Sequence, residues 1–269
     1  MKTLVQANKH STVRELAIAL KVSIGSVHGH LKSLGFVKKL DVWVPHELKE
    51  IHRMSVCDQL IKREENDPFL KRMITGDEKW IVYNNVSRKR SWNRQDEAPE
   101  KQAKAEVHQK KVMLSMWWDW KGPVFYELPK NKTINSDVYC EQLQKLSDAI
   151  AQKRPELLNR KGVVFHHANA RPYTSLVTRQ KLQHGWDVLP YPPYSPDLAP
   201  SDFHLFRSLQ NSLNGKICFL LSFASEDFIK QHLNKFLTEK DGKFYERGIM
   251  KLSGRWQKVI EQNGQYIID

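Results

Sequence analysis

Two aspartates occupy places where a carboxylate could do chemistry. Asp77 lies in Thr75-Gly76-Asp77-Glu78-Lys79-Trp80, at the start of a predicted strand. Asp202 lies in Pro200-Ser201-Asp202-Phe203-His204-Leu205-Phe206, at the start of a predicted helix behind a proline-rich loop. Carboxylate oxygens are the donors that hard divalent cations take. An Asp that opens a helix also serves as its N-cap. The residues alone leave both readings open for Asp202, and Asp77 is equally ambiguous.

The elements that must position them follow from periodicity. Lys79–Asn84, Val112–Trp118 and Val124–Leu128 read as strands, the last two joined as a hairpin through Gly122-Pro123. A helix is predicted over 135–151, a buried strand over Gly162–His166, a helix over 174–183 and a strand over Trp186–Leu189. Prolines 190, 192, 193, 196 and 200 make a rigid loop before a helix from about 201. Antiparallel strands followed by strand–helix alternation predict a mixed sheet with helices packed on it.

Ahead of this sheet, Val13, Leu16, Ala17 and Leu20 fall at helical spacing, with Thr12 and Glu15 placed as a capping box. Ser23 caps a second predicted helix with Ile24, Val27, Leu31 and Leu34 inward and Gly35 as its stop. Two short helices, a tight turn and basic flanks predict a helix-turn-helix over 1–41. Its second helix would enter a major groove with Ser26, His28, His30 and Lys32 outward. A helical hairpin that reads nothing is the alternative, and Gly25 and Gly29 weaken the second helix intrinsically. Residues 42–70 read as a linker broken at Pro45 and a connecting helix over about 47–63 with Leu48, Ile51, Met54 and Cys57 inward. The segment 87–111 is long and polar, either a solvated loop or an arm that grips DNA phosphates or a second protomer.

Composition narrows the partner. The chain of 269 residues carries 43 Lys+Arg against 30 Asp+Glu, a formal charge of +13, which points to a polyanion over a small metabolite. Three scattered cysteines form no Cys-x-x-Cys pair and point to a reducing intracellular compartment. The N-terminus lacks an apolar signal-peptide core, and the longest apolar stretch, at 217–224, is too short to span a bilayer.

Longer motifs occur in a telling order: WVPHEL at 43–48, TGDEKW, VVFH followed by ANARP, YSPDLAPSDFHLF, SLQNSLNGK and the GIMKLSGRWQKVIEQNG tail. Together they resemble a mariner-type transposase of the Tc1/mariner superfamily over essentially the whole chain. The resemblance implies an RNase H-like catalytic domain over 71–269, preceded by the small all-α helix-turn-helix. It implies three acidic residues holding two Mg²⁺ or Mn²⁺ ions, one activating water or a DNA 3′-hydroxyl and the other stabilising the leaving oxygen. It further implies double-stranded transposon inverted repeats as substrate, a homodimer, no membrane or small-molecule substrate, and residence in the nucleus.

Carried over residue by residue, the first acid is Asp77 and the third is Asp202, while Asp197 matches the other Asp of that motif, which is not a metal ligand. The second acid is missing, because Ala168 stands where the family has Asp. No Asp or Glu occurs from 157 to 186, and His167 offers only an imidazole, a poor ligand for Mg²⁺. Ala168 and Asp202 enclose 33 residues, one fewer than the spacing that names the family's group, and the shortening is expected within 181–186. The family carries two helix-turn-helix units and this chain begins at the second, while ICFLLSF at 217–223 replaces a more polar segment. The expectation is a drifted copy that binds DNA and is catalytically impaired, with an active metal-dependent transposase and a translated relic as alternatives.

Overall fold

In a computed structural model the described residues are 1, 2, 5, 12–34, 50–82, 111–129, 133–158, 162–183, 185–217 and 226–268. They belong to two compact units, Met1–Pro45 and His46–Asp269. Expectations for Gly35, the WVPHEL linker with Leu48, the segment 87–110 and residues 218–223 lie outside the described residues.

In the first unit α1 spans Val13–Leu20 and α2 spans Ile24–Ser33. The capping box forms as its spacing predicts: Glu15 N donates to Thr12 Oγ1 at 3.2 Å and Thr12 N donates to Glu15 Oε2 at 2.8 Å. Lys21 takes a left-handed conformation (φ 53°) that turns the chain, and Ser23 Oγ accepts from Ser26 N at 3.0 Å to start α2. Val27 is fully buried against Leu16 and Ala17, with Val13 and Leu31 packed at the edge. Two of the residues expected inward are not: Ile24 is 51% and Leu34 46% exposed. Leu16 and Ala17 of α1, with Met1 and Val5, cover the line through Val27, while the flanks of the apolar stripe stay in water.

The second unit is built on five strands: β1 Met73–Val82, β2 Lys111–Asp119, β3 Gly122–Glu127, β4 Val163–His166 and β5 Trp186–Val188. Their order is β3-β2-β1-β4-β5, antiparallel between β3, β2 and β1 and parallel from β1 through β4 to β5. This is the mixed sheet predicted, but β1 begins at Met73, so Asp77 stands mid-strand instead of at its start. Met73 and Ile74 are fully buried, on opposite faces, and draw the strand back by six residues.

One face of the sheet is covered by α4, Ser136–Lys153, whose Tyr139, Leu143, Leu146 and Ile150 pack on Ile74, Trp117, Val124 and Phe165. Burying each such side chain contributes about 1.5–3 kcal/mol. The short helices α5 (Pro155–Leu158), α6 (Arg171–Thr174) and α7 (Leu176–Gln183) connect the parallel strands on this side. The other face, with Met73, Ile81, Met116, Trp118 and Val164, shares a core with α3 (Glu50–Asn66) and the C-terminal helices. Those are α8 (Arg207–Ile217), α9 (Glu226–Glu239) and α10 (Gly242–Glu261). Within α3, Cys57 is buried as expected, Ile51 is 80% exposed, and Arg53 takes an inward place instead. No helix among the described residues is long and apolar enough to cross a membrane.

Candidate active site

Asp77 leaves β1 on the face that carries Thr75, and Asp202 sits on a six-residue π-turn, Ser201–Phe206, that runs into α8. Single π-turns of this kind recur at functional sites. Trp118 of β2 donates its indole N–H to Ser201 Oγ at 3.1 Å, which fixes the turn to the sheet beside β1. Asp202 does not act as an N-cap, since no side chain caps this turn; its own backbone N donates to Ala199 O at 2.9 Å.

The two carboxyl groups are brought together closely enough to share a hydrogen bond. Burial holds Asp77 well above the ordinary carboxylate range, and the charges of Asp202 and Glu78 push it further. Asp202 is also raised by burial, with the Lys79 ammonium working against that. Two desolvated carboxylates side by side do not both ionise without a cation, so the pair holds a proton between them.

β4 runs parallel to β1 in register up to Thr75↔His166, and Ala168 lies two residues past its end. Ala168 is partly buried and packs against both cores. The adjacent histidines part to opposite faces. His166 Nδ1 meets Thr75 Oγ1 at 3.0 Å, and burial brings its pKa down to about 3. His167 Nδ1 pairs with Tyr139 OH at 3.0 Å and its ring lies 5.5 Å from that of Tyr173. Burial brings His167 down to about 4. Its imidazole is committed to the α4 side and supplies no donor beside Asp77.

Asp197 is engaged elsewhere. Arg53 Nη1 donates to Asp197 Oδ1 at 2.9 Å and Nη2 to Oδ2 at 2.6 Å, a bidentate pair buried at both ends. The same guanidinium reaches Ser195 Oγ at 2.7 Å and the carbonyl of Gly264 at 2.9 Å. Ile267 N donates to Asp197 Oδ2 at 3.1 Å. The loop ahead of Asp202 is thus clamped between α3 and the chain's last residues.

Residues 82–160 match a family described as Transposase (partial DDE domain). The Mariner Mos1 transposase of Drosophila mauritiana is 38% identical over 273 residues, which cover 99% of this chain and 78% of that protein. The chain belongs to the mariner transposases. The histone-lysine N-methyltransferase SETMAR of Homo sapiens is 41% identical over 271 residues, again 99% of this chain but only 39% of that protein's length. A pre-cleavage Mos1 transpososome superposes with a TM-score of 0.83 at 39% identity, covering 99% of this chain and 78% of that one. The mixed sheet with its flanking helices is accordingly the RNase H-like catalytic architecture of the mariner transposases.

For a mariner transposase the donor set is incomplete. Asp77 and Asp202 are paired, and no cluster of three or more His, Cys, Asp or Glu able to hold a metal exists among the described residues. Glu78, the next residue of β1, leaves the strand on the face opposite Asp77 by strand alternation. There burial pushes its carboxyl up to about 8. The residues present therefore do not fit a two-ion site.

In the first unit of this mariner chain all four candidate DNA-reading residues are exposed. They do not form one line. At 100° per residue Ser26 and His30 lie along one side of α2 and His28 and Lys32 along the other. Gly25 and Gly29 stand between, and a Cβ at Gly29 would meet nothing within 4 Å. Ser26 also shares a hydroxyl hydrogen bond of 2.9 Å with Ser23. Sequence reasoning missed Arg53 and Glu78. The pairing of Arg53 with a residue 144 positions away has no local signature, whereas Glu78, in a strand beside Asp77, could have been flagged.

Proposed function

We propose that this mariner-family protein binds transposon-end duplexes as a homodimer and is impaired in strand cleavage. What supports the reading is that Ala168, two residues past β4, stands where the family resemblance calls for the second of three acids, while Asp77 and Asp202 are paired. Mos1 paired-end complexes have been solved with Mn and with Mg, and such chemistry needs carboxylates to hold both ions. Losing even an outer partner of a metal ligand lowers affinity or activity about 10–100-fold, so the loss of a direct ligand should cost more. The alternative of an active Mg²⁺- or Mn²⁺-dependent transposase draws on the intact Asp77–Asp202 pair. DNA reading falls to Ser26, His28, His30 and Lys32, and nuclear residence follows from the substrate.

The deciding experiment incubates the full chain and its Ala168→Asp variant with intact and pre-nicked inverted-repeat duplexes in Mg²⁺ or Mn²⁺. The expected result is binding by both proteins and cleavage by the variant alone. Cleavage by the chain as it stands overturns the impairment. Cleavage by neither shows that the defect reaches beyond residue 168.

A further inference from the structure

Helix α10 carries Lys243, Arg247, Lys251 and Arg255 at steps of four residues. They form one ridge about 18 Å long over roughly three turns. Like charges at this spacing repel and weaken a helix. Lys243, Arg247 and Lys251 are exposed, and among the described residues none of the three is in an ion pair with a carboxylate. The helix's own acids do not offset them: Glu246 lies off the ridge, half-buried, and Glu261 stands beyond its far end.

Opposite the ridge, α8 supplies the second wall of a cleft of about 360 Å³ lined by Phe203, His204, Arg207, Asn211, Arg247 and Lys251. At one end of the ridge Arg255 lies 4.0 Å over the ring of Phe203 and donates to the carbonyl of Asp197 at 3.1 Å. The ridge therefore leads to the residue next to Asp202.

We propose that the α8–α10 cleft is a phosphate track that holds the backbone of duplex DNA against the catalytic unit whatever its base sequence. This rests on the DNA-binding reading above and adds a second contact surface to the helix pair. Successive ridge cations rise about 6 Å along the helix, on the scale of neighbouring phosphates in one strand. Exposed cations without carboxylate partners repay their mutual repulsion when a polyanion lies along them and its counterions are released.

The test measures binding of the full chain to a random-sequence duplex across a salt series, with the double variant Arg247→Gln/Lys251→Gln. A control of equal charge change, Lys62→Gln/Lys235→Gln, removes two exposed lysines away from the cleft, each paired one turn along its own helix, with Asp58 in α3 and with Glu239 in α9. Two lost phosphate contacts should lower the slope of log K against log salt by about 1.8 and weaken binding about tenfold at moderate salt, with the control near native. The charge-keeping variant Arg247→Lys/Lys251→Arg should retain the native slope. Should the double variant melt low, Lys251→Gln alone carries the test at about half the slope change. A ridge variant that matches the control overturns the track, as does a loss seen with single strands and not with duplex. A native chain that binds the end duplex and not the random one also overturns it; one that binds neither overturns the DNA-binding reading too.

Discussion

Arg53 of α3 grips both carboxylate oxygens of Asp197, at 2.9 and 2.6 Å, inside the core. The pair explains why one Asp of the SPDLAPSD motif stands apart from Asp77 while the other, Asp202, reaches it. Removing one partner of a buried ion pair leaves an uncompensated charge, whereas replacing both with apolar groups is often neutral. Arg53→Met should therefore destabilise the chain by about 3–5 kcal/mol. Arg53→Met/Asp197→Leu should lose much less than the sum of the single changes. Urea unfolding of the four proteins in the cycle checks this, and additive losses would contradict it.

Ala168→Asp should carry a signature separate from cleavage. In chelator the new carboxylate adds a third charge beside Asp77 and Asp202, so the variant should melt below the native chain. A loss of 1 kcal/mol would appear as about 2–4 °C in a chain of this size. Adding Mn²⁺ should raise the variant's melting temperature and leave the native chain nearly unchanged. An equal response from both proteins would show that the two carboxylates already bind the ion.

Stability should fall as pH rises from about 6.5 to 8. An unfolded Glu has lost its proton above about 4.3, while burial lets folded Glu78 keep its own up to about 8. The folded chain then binds more protons than the unfolded one, and that contribution disappears as pH passes the folded value. His166 and His167, depressed to about 3 and about 4, act with the opposite sign. Unfolded imidazoles take protons below about 6.5 that the folded ones refuse, so this contribution is lost on acidification. Glu78→Gln should flatten the upper window, which melting temperatures at pH 6.5, 7.2 and 8 would reveal; an unchanged slope would assign it to Asp77 and Asp202.

Gly76→Ala should disturb the site without touching a carboxylate. A Cβ there would lie 2.2 Å from Cδ1 and Nε1 of Trp117, which is fully buried across β1 and β2. Overpacking of this kind typically costs about 1–3 kcal/mol. The expected readout is a lower denaturation midpoint together with a shift in tryptophan emission.

The same contact marks what the sequence could and could not reveal. Alternation and turn residues locate the five strands of the described residues and the hairpin, yet they start β1 at Lys79, six residues after its true beginning at Met73. The reason for Gly76 is an indole on the neighbouring strand, which no local pattern encodes. Periodicity likewise found α2 and α3 but placed Ile24, Leu34 and Ile51 inward; a repeat tells which residues share a face and not how much of that face a neighbour covers. In the candidate site, Asp77 and Asp202 were legible through motif resemblance and are adjacent in space. Arg53, which holds the loop between them and the tail, has the sequence look of a solvent-facing cation.

The parting of His166 and His167 to opposite faces has a bearing on repair. Consecutive residues leaving β4 enter different environments, one side shared with Thr75 and the other with Tyr139 and Tyr173. An acid introduced at His167 would sit among aromatic rings on the face away from Asp77 and Asp202. On the proposed reading, an acid restored at residue 168, and not at its neighbour, is the change that places a third carboxylate on the side of Asp77 and Asp202.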